Sequence, residues 1–531
     1  MPPPSEPHEL PAPEKVKEAP IKADGGVHVT VKGFAFSGYE GVATEAQLQA
    51  LVVLDKGRDL SFQELEAVAD KVTAFLKENG WFLSRAYLPK QEVTSGIIEI
   101  AITPGRSDGN INITKSSRSR IRPSVLRGIG LHGIRSGQPI NETQLERAVL
   151  LMNDLPGVQA KASLSPGKSP GTSGLDLAVT EDPRFSGMLW GDTQGGRYTG
   201  TWRTNAMLSL NDPFGYGDQA TMLITDAHGM LQGRLGYNFP VTYTGLKGNL
   251  AYTGMHYELS GTSAVQQFGG RSSAIDAGLS YPVVRSRSTN LNTALSYSYK
   301  SLVDTHAAVE TRNRAVQVLN ISGSGDRFDQ FLGGGYMSAN VGITAGNLHE
   351  SIANISLTGT EGAYSHYNLG FSRLQRVAER VNCNLSWSAQ MASGNLDSSE
   401  KFSLGGPGAI HAYPGGEGAG DEGYLLNAEI RYSLPFPLSL GNMQLSGFYD
   451  AGHTKLNKNR YASDVTNATG SNEYWLFGTG LGLVYNYPGR LTLRGIWGHV
   501  IGDNPGRSVA GNDSDGTKDK NRYWLQTMLF F

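Results

Sequence analysis

A two-residue alternation from Tyr424 to Leu434 constrains the fold of this chain more than any other sequence feature. One face of this segment carries Tyr424, Leu426, Ala428, Ile430, Tyr432 and Leu434. Apart from Leu425, the residues between them are polar or charged. Successive side chains of an extended strand point to opposite sides, so one side of this strand suits lipid and the other suits water. The segment therefore has the pattern of a strand in a transmembrane β-barrel.

Similar runs fill the chain from residue 183 to the end. We count about sixteen of them, from FSGMLWGDTQ to YWLQTMLFF. Their connections alternate between short ones such as NYPGR and long ones such as IGDNPGRSVAGNDSDGTKDKN. Outer-membrane barrels show this alternation, because their periplasmic turns are short and their outer loops are long. Residues 183–531 are thus predicted to form a 16-stranded antiparallel transmembrane β-barrel.

The chain before the barrel has a different, partly helical pattern. Residues 27–106 and 107–182 each predict the order strand, helix, helix, strand, strand, and so form two tandem α+β repeats. The longer helix of the first repeat begins with a capping box, Ser61 with Glu64 three residues later. Residues 1–26 are rich in proline and charge, which predicts an extended linker or a plug region. They lack the basic-then-apolar pattern of a signal peptide, so we expect a mature form.

Composition excludes several classes of function. The net charge of −2 implies no nucleic-acid partner. A stretch of about 18 apolar residues is missing, so no transmembrane helix is expected. The eleven histidines are scattered without metal-ligand spacing, and no nucleophile elbow or phosphate-binding loop occurs. We therefore expect neither an enzyme, nor a metal site, nor a cofactor.

The repeats and the glycine-rich stretch before Tyr424 carry a family resemblance. NGWFLSRAYLPKQEVTSGIIEIAITPGR resembles the end of the first POTRA (polypeptide-transport-associated) domain of a two-partner secretion transporter, and FSLGGPGAIHAYPGGEGAGDEG resembles the lumenal loop motif of such proteins. The chain from about residue 27 onward thus resembles the TpsB transporters of the ShlB/FhaC/HecB type in the Omp85 superfamily. The resemblance implies two POTRA domains followed by the barrel, with the loop at residues 395–423 folded back into the lumen.

The resemblance also implies which residues fix the loop. Its motif falls on Ile410, His411, Ala412 and Tyr413, and the wall motif of the family falls on Phe448, Asp450 and Gly452. The family has an arginine where this chain has His411. A guanidinium can bind a carboxylate through two parallel hydrogen bonds and stays charged, whereas imidazole is only partly charged near neutral pH. We expect His411 to contact Asp450 and to anchor the loop less firmly; the alternative is a bystander histidine in a mobile loop.

By the same resemblance, the POTRA domains bind an unfolded secreted partner of the TpsA type in the periplasm. An extended chain can add to an exposed sheet edge. The residues we expect at this edge and in the groove beside it are Arg85, Tyr87, Leu88, Leu65 and Val72; their alternative role is ordinary core and edge packing. Phe531 ends an alternating run that resembles the signal presented to the barrel assembly machinery. The resemblance further implies an outer-membrane protein in contact with lipid, working as a monomer.

Three alternatives stay open at this point. The repeats alone are also compatible with a pair of generic α+β binding modules. An insertase of the Omp85 superfamily would usually have three or five POTRA domains and would keep the arginine. A diffusion porin would need no POTRA domains.

Overall fold

The computed structural model describes residues 28–116, 119–261, 267–351, 358–435, 441–461 and 464–531. The described residues up to Asp182 form one compact unit, and those from Pro183 onward, apart from Phe214–Gly217, form a second. The predicted linker or plug region, residues 1–26, lies outside the described residues.

The first of the two predicted POTRA domains packs two helices on a three-stranded sheet. Its elements are β1 (His28–Thr30), β2 (Gly33–Ser37), α1 (Glu45–Leu51), β3 (Asp59–Ser61), α2 (Phe62–Glu78), β4 (Arg85–Tyr87) and β5 (Ile97–Thr103). The sheet has the order β2-β5-β4, and β1 pairs separately with β3. The predicted capping box is present, because Ser61 N donates to Glu64 Oε2 (2.8 Å) and Glu64 N donates to Ser61 Oγ (3.3 Å). The hydrogen bond from the Ser61 backbone also holds the pKa of Glu64 below its usual value.

The second domain repeats the arrangement with fewer strands. Its elements are β6 (Arg106–Lys115), α3 (Pro123–Gly133), α4 (Glu142–Asn153), β7 (Val158–Pro166) and β8 (Thr172–Glu181). The sheet order is β6-β8-β7, with β6 parallel and β7 antiparallel to β8. Asn141 caps α4 through its side-chain oxygen, which accepts from Thr143 N (3.0 Å). The core between helices and sheet includes Leu126, Met152 and Leu175, all fully buried.

Sixteen antiparallel strands, β9 to β24, form a closed barrel. They are β9 (Phe185–Asp192), β10 (Arg203–Asn211), β11 (Gln219–Ala227), β12 (Met230–Pro240), β13 (Lys247–Glu258), β14 (Phe268–Arg285), β15 (Thr289–His306), β16 (Val309–Asp329), β17 (Gly335–Glu350), β18 (Gly362–Ala378), β19 (Val381–Ala392), β20 (Glu422–Ser433), β21 (Asn442–Lys455), β22 (Glu473–Tyr487), β23 (Leu491–Ile501) and β24 (Asn521–Phe530). Each strand pairs with its neighbours in sequence, and β24 closes the ring on β9. The predicted number of strands is confirmed.

The closing seam is short and uses the last residue of the chain. Residues Gln526 to Phe530 pair with Asp192 to Met188. Phe531 and Gly187 then exchange two backbone hydrogen bonds of 2.8 and 3.0 Å. A side chain at Gly187 would collide with the Phe531 ring, whose nearest atom lies 2.4 Å from the position of its Cβ. The terminal aromatic residue therefore contributes directly to closure of the barrel.

The two faces of the wall differ as the alternation predicts. Leu445, Tyr449 and Leu481 point outward and are 44–59% exposed as an apolar surface, whereas Asp450 points inward and is fully buried. An apolar outer face and a polar inner face are what a barrel needs to sit in lipid. No helix within the described ranges is both long and apolar enough to cross a membrane.

Candidate functional site

The connection between β19 and β20, residues 393–421, folds into the barrel as a compact hairpin-like body. At its base, Phe402 and Gly420 exchange two backbone hydrogen bonds of 2.8 Å. Further in, the Glu417 carbonyl accepts from the backbone N–H groups of Leu404 (3.1 Å) and Gly405 (2.9 Å). These bonds give the loop a defined shape of its own.

The tip of this lumenal loop is held by a buried carboxylate on β21. Asp450 Oδ2 lies 2.9 Å from His411 Nδ1 and accepts from His411 N at 3.1 Å. Its second oxygen accepts from Asn427 Nδ2 on β20 (2.8 Å), and the same Nδ2 donates to the Ala409 carbonyl (2.9 Å). Asp450 is completely buried. The carboxylate thus joins the loop tip to two neighbouring wall strands by hydrogen bonds that do not require a charged histidine, provided that Nδ1 carries the proton.

The rest of the motif packs on apolar wall residues. Ile410, Ala412 and Tyr413 are fully buried. They share a cluster with Leu404 of the loop and with Tyr474, Leu476 and Val500 of β22 and β23. Phe448 also contributes, since its ring lies 4.5 Å from the His411 ring between centroids. The four motif residues and Phe448, Asp450 and Gly452 are therefore all in one place.

Three glycines make room for the tip on the wall. A Cβ at Gly452 would lie 2.7 Å from Leu404, one at Gly478 would lie 2.9 Å from the Ala412 side chain, and one at Gly498 would lie 2.7 Å from the His411 carbonyl. Contacts between carbon atoms are ordinarily about 3.5–4.0 Å. Any larger residue at these positions would displace the loop.

Sequence reasoning missed several contacts. Trp524 Nε1 on β24 donates to the His411 carbonyl (2.8 Å). Glu417, which is 2% exposed, accepts from Asn504 Nδ2 (2.8 Å) and Ser514 N (2.6 Å) in the long loop between β23 and β24. The glycine-rich run of β22 was a usable signal for the close approach of another backbone. Nothing in the sequence pairs Asn427 or Trp524 with a loop.

The residues predicted to bind cargo on the first POTRA domain are separated by the structure. Arg85 and Tyr87 are exposed at the ends of β4, and Tyr87 is 45% exposed. Leu88 is half-buried against the core. Leu65 and Val72 are 4% and 0% exposed, on the face of α2 that packs on the sheet. Those two residues belong to the core, so their assignment to an accessible groove is wrong.

Within the described part of the chain, no three potential metal ligands come together.

Two family models match the chain. Residues 29–105 match the ShlB-type POTRA domain. Residues 171–484, more than half of the chain, match the haemolysin secretion/activation protein ShlB/FhaC/HecB model. The chain belongs to the ShlB/FhaC/HecB family. It is accordingly an outer-membrane transporter of the two-partner secretion type, with its POTRA domains in the periplasm.

Individual relatives agree with this family. The chain is 26% identical over 481 residues to the heme/hemopexin transporter protein HuxB of Haemophilus influenzae, covering 90% of this chain and 82% of HuxB. It is 21% identical over 456 residues to the outer membrane transporter CdiB of Dickeya dadantii, covering 82% and 79% of the two chains.

Solved structures share the fold of this ShlB/FhaC/HecB member. CdiB from Escherichia coli aligns with a TM-score of 0.78 at 19% identity, covering 98% of this chain and 94% of CdiB. BamA from Haemophilus ducreyi lacking POTRA domains 1–3 aligns with a TM-score of 0.52 at 14% identity, covering 95% and 100%. The family match supports secretion better than the insertase alternative.

Proposed function

We propose that this transporter exports one large unfolded exoprotein, which the POTRA domains receive and which crosses the barrel after the lumenal loop has moved. The observation that carries the proposal is the buried loop tip, held on the inner wall by Asp450 and by three glycines. A porin for small solutes does not need a loop docked in its lumen. A secretion pore needs one, because an unguarded lumen would leak between rounds of export.

The exposed edge of the first POTRA domain is the proposed entry point for cargo. Strand β4 is at the edge of its sheet, and its middle residue Ala86 donates its backbone N–H to the Thr73 hydroxyl on α2 (2.9 Å), a bond that an incoming strand would have to replace. Arg85 and Tyr87 flank this edge, and their side chains are accessible. Because main-chain hydrogen bonds make few sequence demands, such an edge suits an unfolded segment.

Quantitative proteomics of culture supernatant and outer membrane tests the export function. Deletion of the gene is expected to remove one large protein from the supernatant while the other membrane barrels stay at their normal level. The relative named a heme/hemopexin transporter makes a hemopexin-binding exoprotein the first cargo to look for. A general fall in membrane barrels would instead favour an insertase, and no change in either fraction would favour the porin alternative.

The POTRA edge is tested by complementing the deletion strain with variants. Tyr87→Ala combined with Arg85→Ala should reduce the secreted protein without changing the amount of folded barrel. The matched control is Leu54→Ala, because Leu54 is 80% exposed on the same domain but lies outside the sheet edge. Equal secretion from both variants would remove the edge from the mechanism.

We further propose that the transporter works as a monomer, in contact with outer-membrane lipid and dependent on the barrel assembly machinery for insertion. The closed ring and its apolar outer face support the first two points, since no partner is needed to complete the wall. The assembly signal assigned to Phe531 supports the third. Native mass spectrometry in lipid particles would reveal any stable dimer.

A further inference from the structure

The lumenal loop has a second attachment, formed by residues that precede the tip motif. Leu396 is 1% exposed and packs against Val316, Leu348 and Tyr364 on β16, β17 and β18. Asp397, 3% exposed, forms an ion pair with Arg314 on β16 at 2.5 Å. We call this segment, residues 396–400, the arm.

Glu400 completes the arm. Its carboxylate lies 2.6 Å from Lys300 Nζ on β15 and 3.3 Å from His366 Nε2 on β18, and its side chain is 7% exposed. The arm therefore has one apolar contact area and two carboxylates, each held by a basic residue of the wall. Its contacts involve β15 to β19, since Gln390 on β19 donates to the Glu400 carbonyl (3.0 Å).

The tip and the arm use different parts of the ring. The tip contacts β20 to β24, through Asn427 on β20 at one end of that range and Trp524 on β24 at the other. The arm is held on one half of the ring, β15 to β19, and the tip on the other half, β20 to β24. The loop is thus a strap attached to both halves of the ring.

The tip and the arm differ in the charged wall residues that each would leave without a partner on leaving the wall. If the tip leaves, Asp450 keeps its hydrogen bond from Asn427. This step separates no ion pair between Asp450 and an arginine or a lysine of the loop. If the arm leaves, Arg314 loses Asp397 and Lys300 loses Glu400. Separating buried ion pairs is costly, because each charge must find a new partner or water. Arg314 is in addition fixed on the wall by Asp304 at 2.6 Å.

We propose that the arm is the fixed end of the strap, and that Leu396, Asp397 and Glu400 hold it on the wall while the tip moves to open the pore. These three are positioning residues, since they act through the loop. The inference rests on the proposed pore function and adds which end of the loop moves. The tip leaves the wall while the arm stays bound, so the loop is not expelled as a whole.

Reversible cross-linking separates the two attachments. The background carries Cys383→Ser, which removes the only native cysteine. An arm pair, Lys300→Cys with Glu400→Cys, replaces one ion pair by a covalent link, and a tip pair, His411→Cys with Asp450→Cys, does the same at the tip. A short bis-methanethiosulfonate reagent links each pair, and dithiothreitol reverses the link.

A matched control uses an ion pair of the wall that does not involve the loop. Arg271 and Glu310 are 3.1 Å apart on β14 and β16, with side chains 70% and 43% exposed. Arg271→Cys with Glu310→Cys therefore reports any effect of the reagent itself. Heat-dependent mobility in gel electrophoresis verifies that every full-length variant has a folded barrel.

The readout is ion conductance of the purified full chain in planar lipid bilayers, which needs no cargo. The linked tip pair should stay closed and should open on reduction, whereas the linked arm pair and the linked control should open as often as their reduced forms. A linked arm pair that stays closed would overturn the inference, because the whole loop would then have to leave. A linked tip pair that still opens would overturn it too. If even the reduced tip pair never conducts, the pore function fails first and the inference fails with it.

Discussion

Gly498→Ala should open the pore, because the added methyl group occupies the space of the loop tip. Its Cβ would lie 2.7 Å from both the carbonyl carbon and the oxygen of His411 and 2.9 Å from Ala412 N, all of them backbone atoms that no side-chain rotation can move away. Gly498 lies in an ordinary extended strand, so alanine adds no backbone strain there. Overpacking of this kind costs about 1–3 kcal/mol. If that cost is borne only by the docked loop, the ratio of undocked to docked loop rises about 5- to 150-fold.

The assay is the open probability of single channels of the purified chain in planar bilayers. Gly495→Ala is the matched control, because it lies three residues earlier on β23 and its Cβ would meet only Leu525 Cδ2 at an ordinary 3.6 Å. We expect the control to behave like the wild type. If Gly498→Ala also gives the wild-type open probability while its barrel is folded, the docked tip does not close the pore and the argument is refuted.

Three further outcomes are expected. His411→Arg should lower the open probability, because a guanidinium can form two charged hydrogen bonds with Asp450, and equal values for both proteins would contradict it. Glu417→Ala should make the long loop after β23 more sensitive to protease added to whole cells, since two hydrogen bonds worth about 1 kcal/mol each are lost; an unchanged cleavage rate would show that this loop is held by other contacts. Gly187→Val should reduce the folded fraction seen by heat-dependent gel mobility, because the side chain meets the Phe531 ring at 2.4 Å, and normal folding would mean that Phe531 is dispensable for closure.

The barrel could be predicted from sequence because lipid imposes a period of two on every strand that it touches. The predicted strand bounds were less accurate outside the part of each strand that touches lipid. The alternating run RAVQVLNISG, one of the sixteen counted in the sequence, is only the middle of a longer strand, Val309–Asp329, whose ends are not bound to the same alternation. The first POTRA domain likewise begins with two strands, β1 and β2, where the predicted order of the repeat has one, because Val31 turns into the core between them.

The tip could be located in advance only through a family resemblance, and the arm could not be located at all. Asp397 and Glu400 look like ordinary residues of a solvated loop, and their partners are 83 and 100 residues away in sequence. The prediction for Leu65 and Val72 was wrong although their pattern was visible in the sequence. Their helical spacing marks an apolar face, but spacing alone does not tell whether a sheet or a visiting chain covers it.

The short seam between β24 and β9 has a consequence for how such a protein is made. Fifteen of the sixteen wall pairings join strands that are neighbours in sequence, and this one joins strands from opposite ends of the barrel sequence. Until it forms, two strand edges expose backbone groups that hydrocarbon cannot satisfy, at several kcal/mol for each group. The unfinished sheet can therefore enter lipid only if something else covers both edges, and that cover must be released when β24 and the terminal Phe531 reach β9.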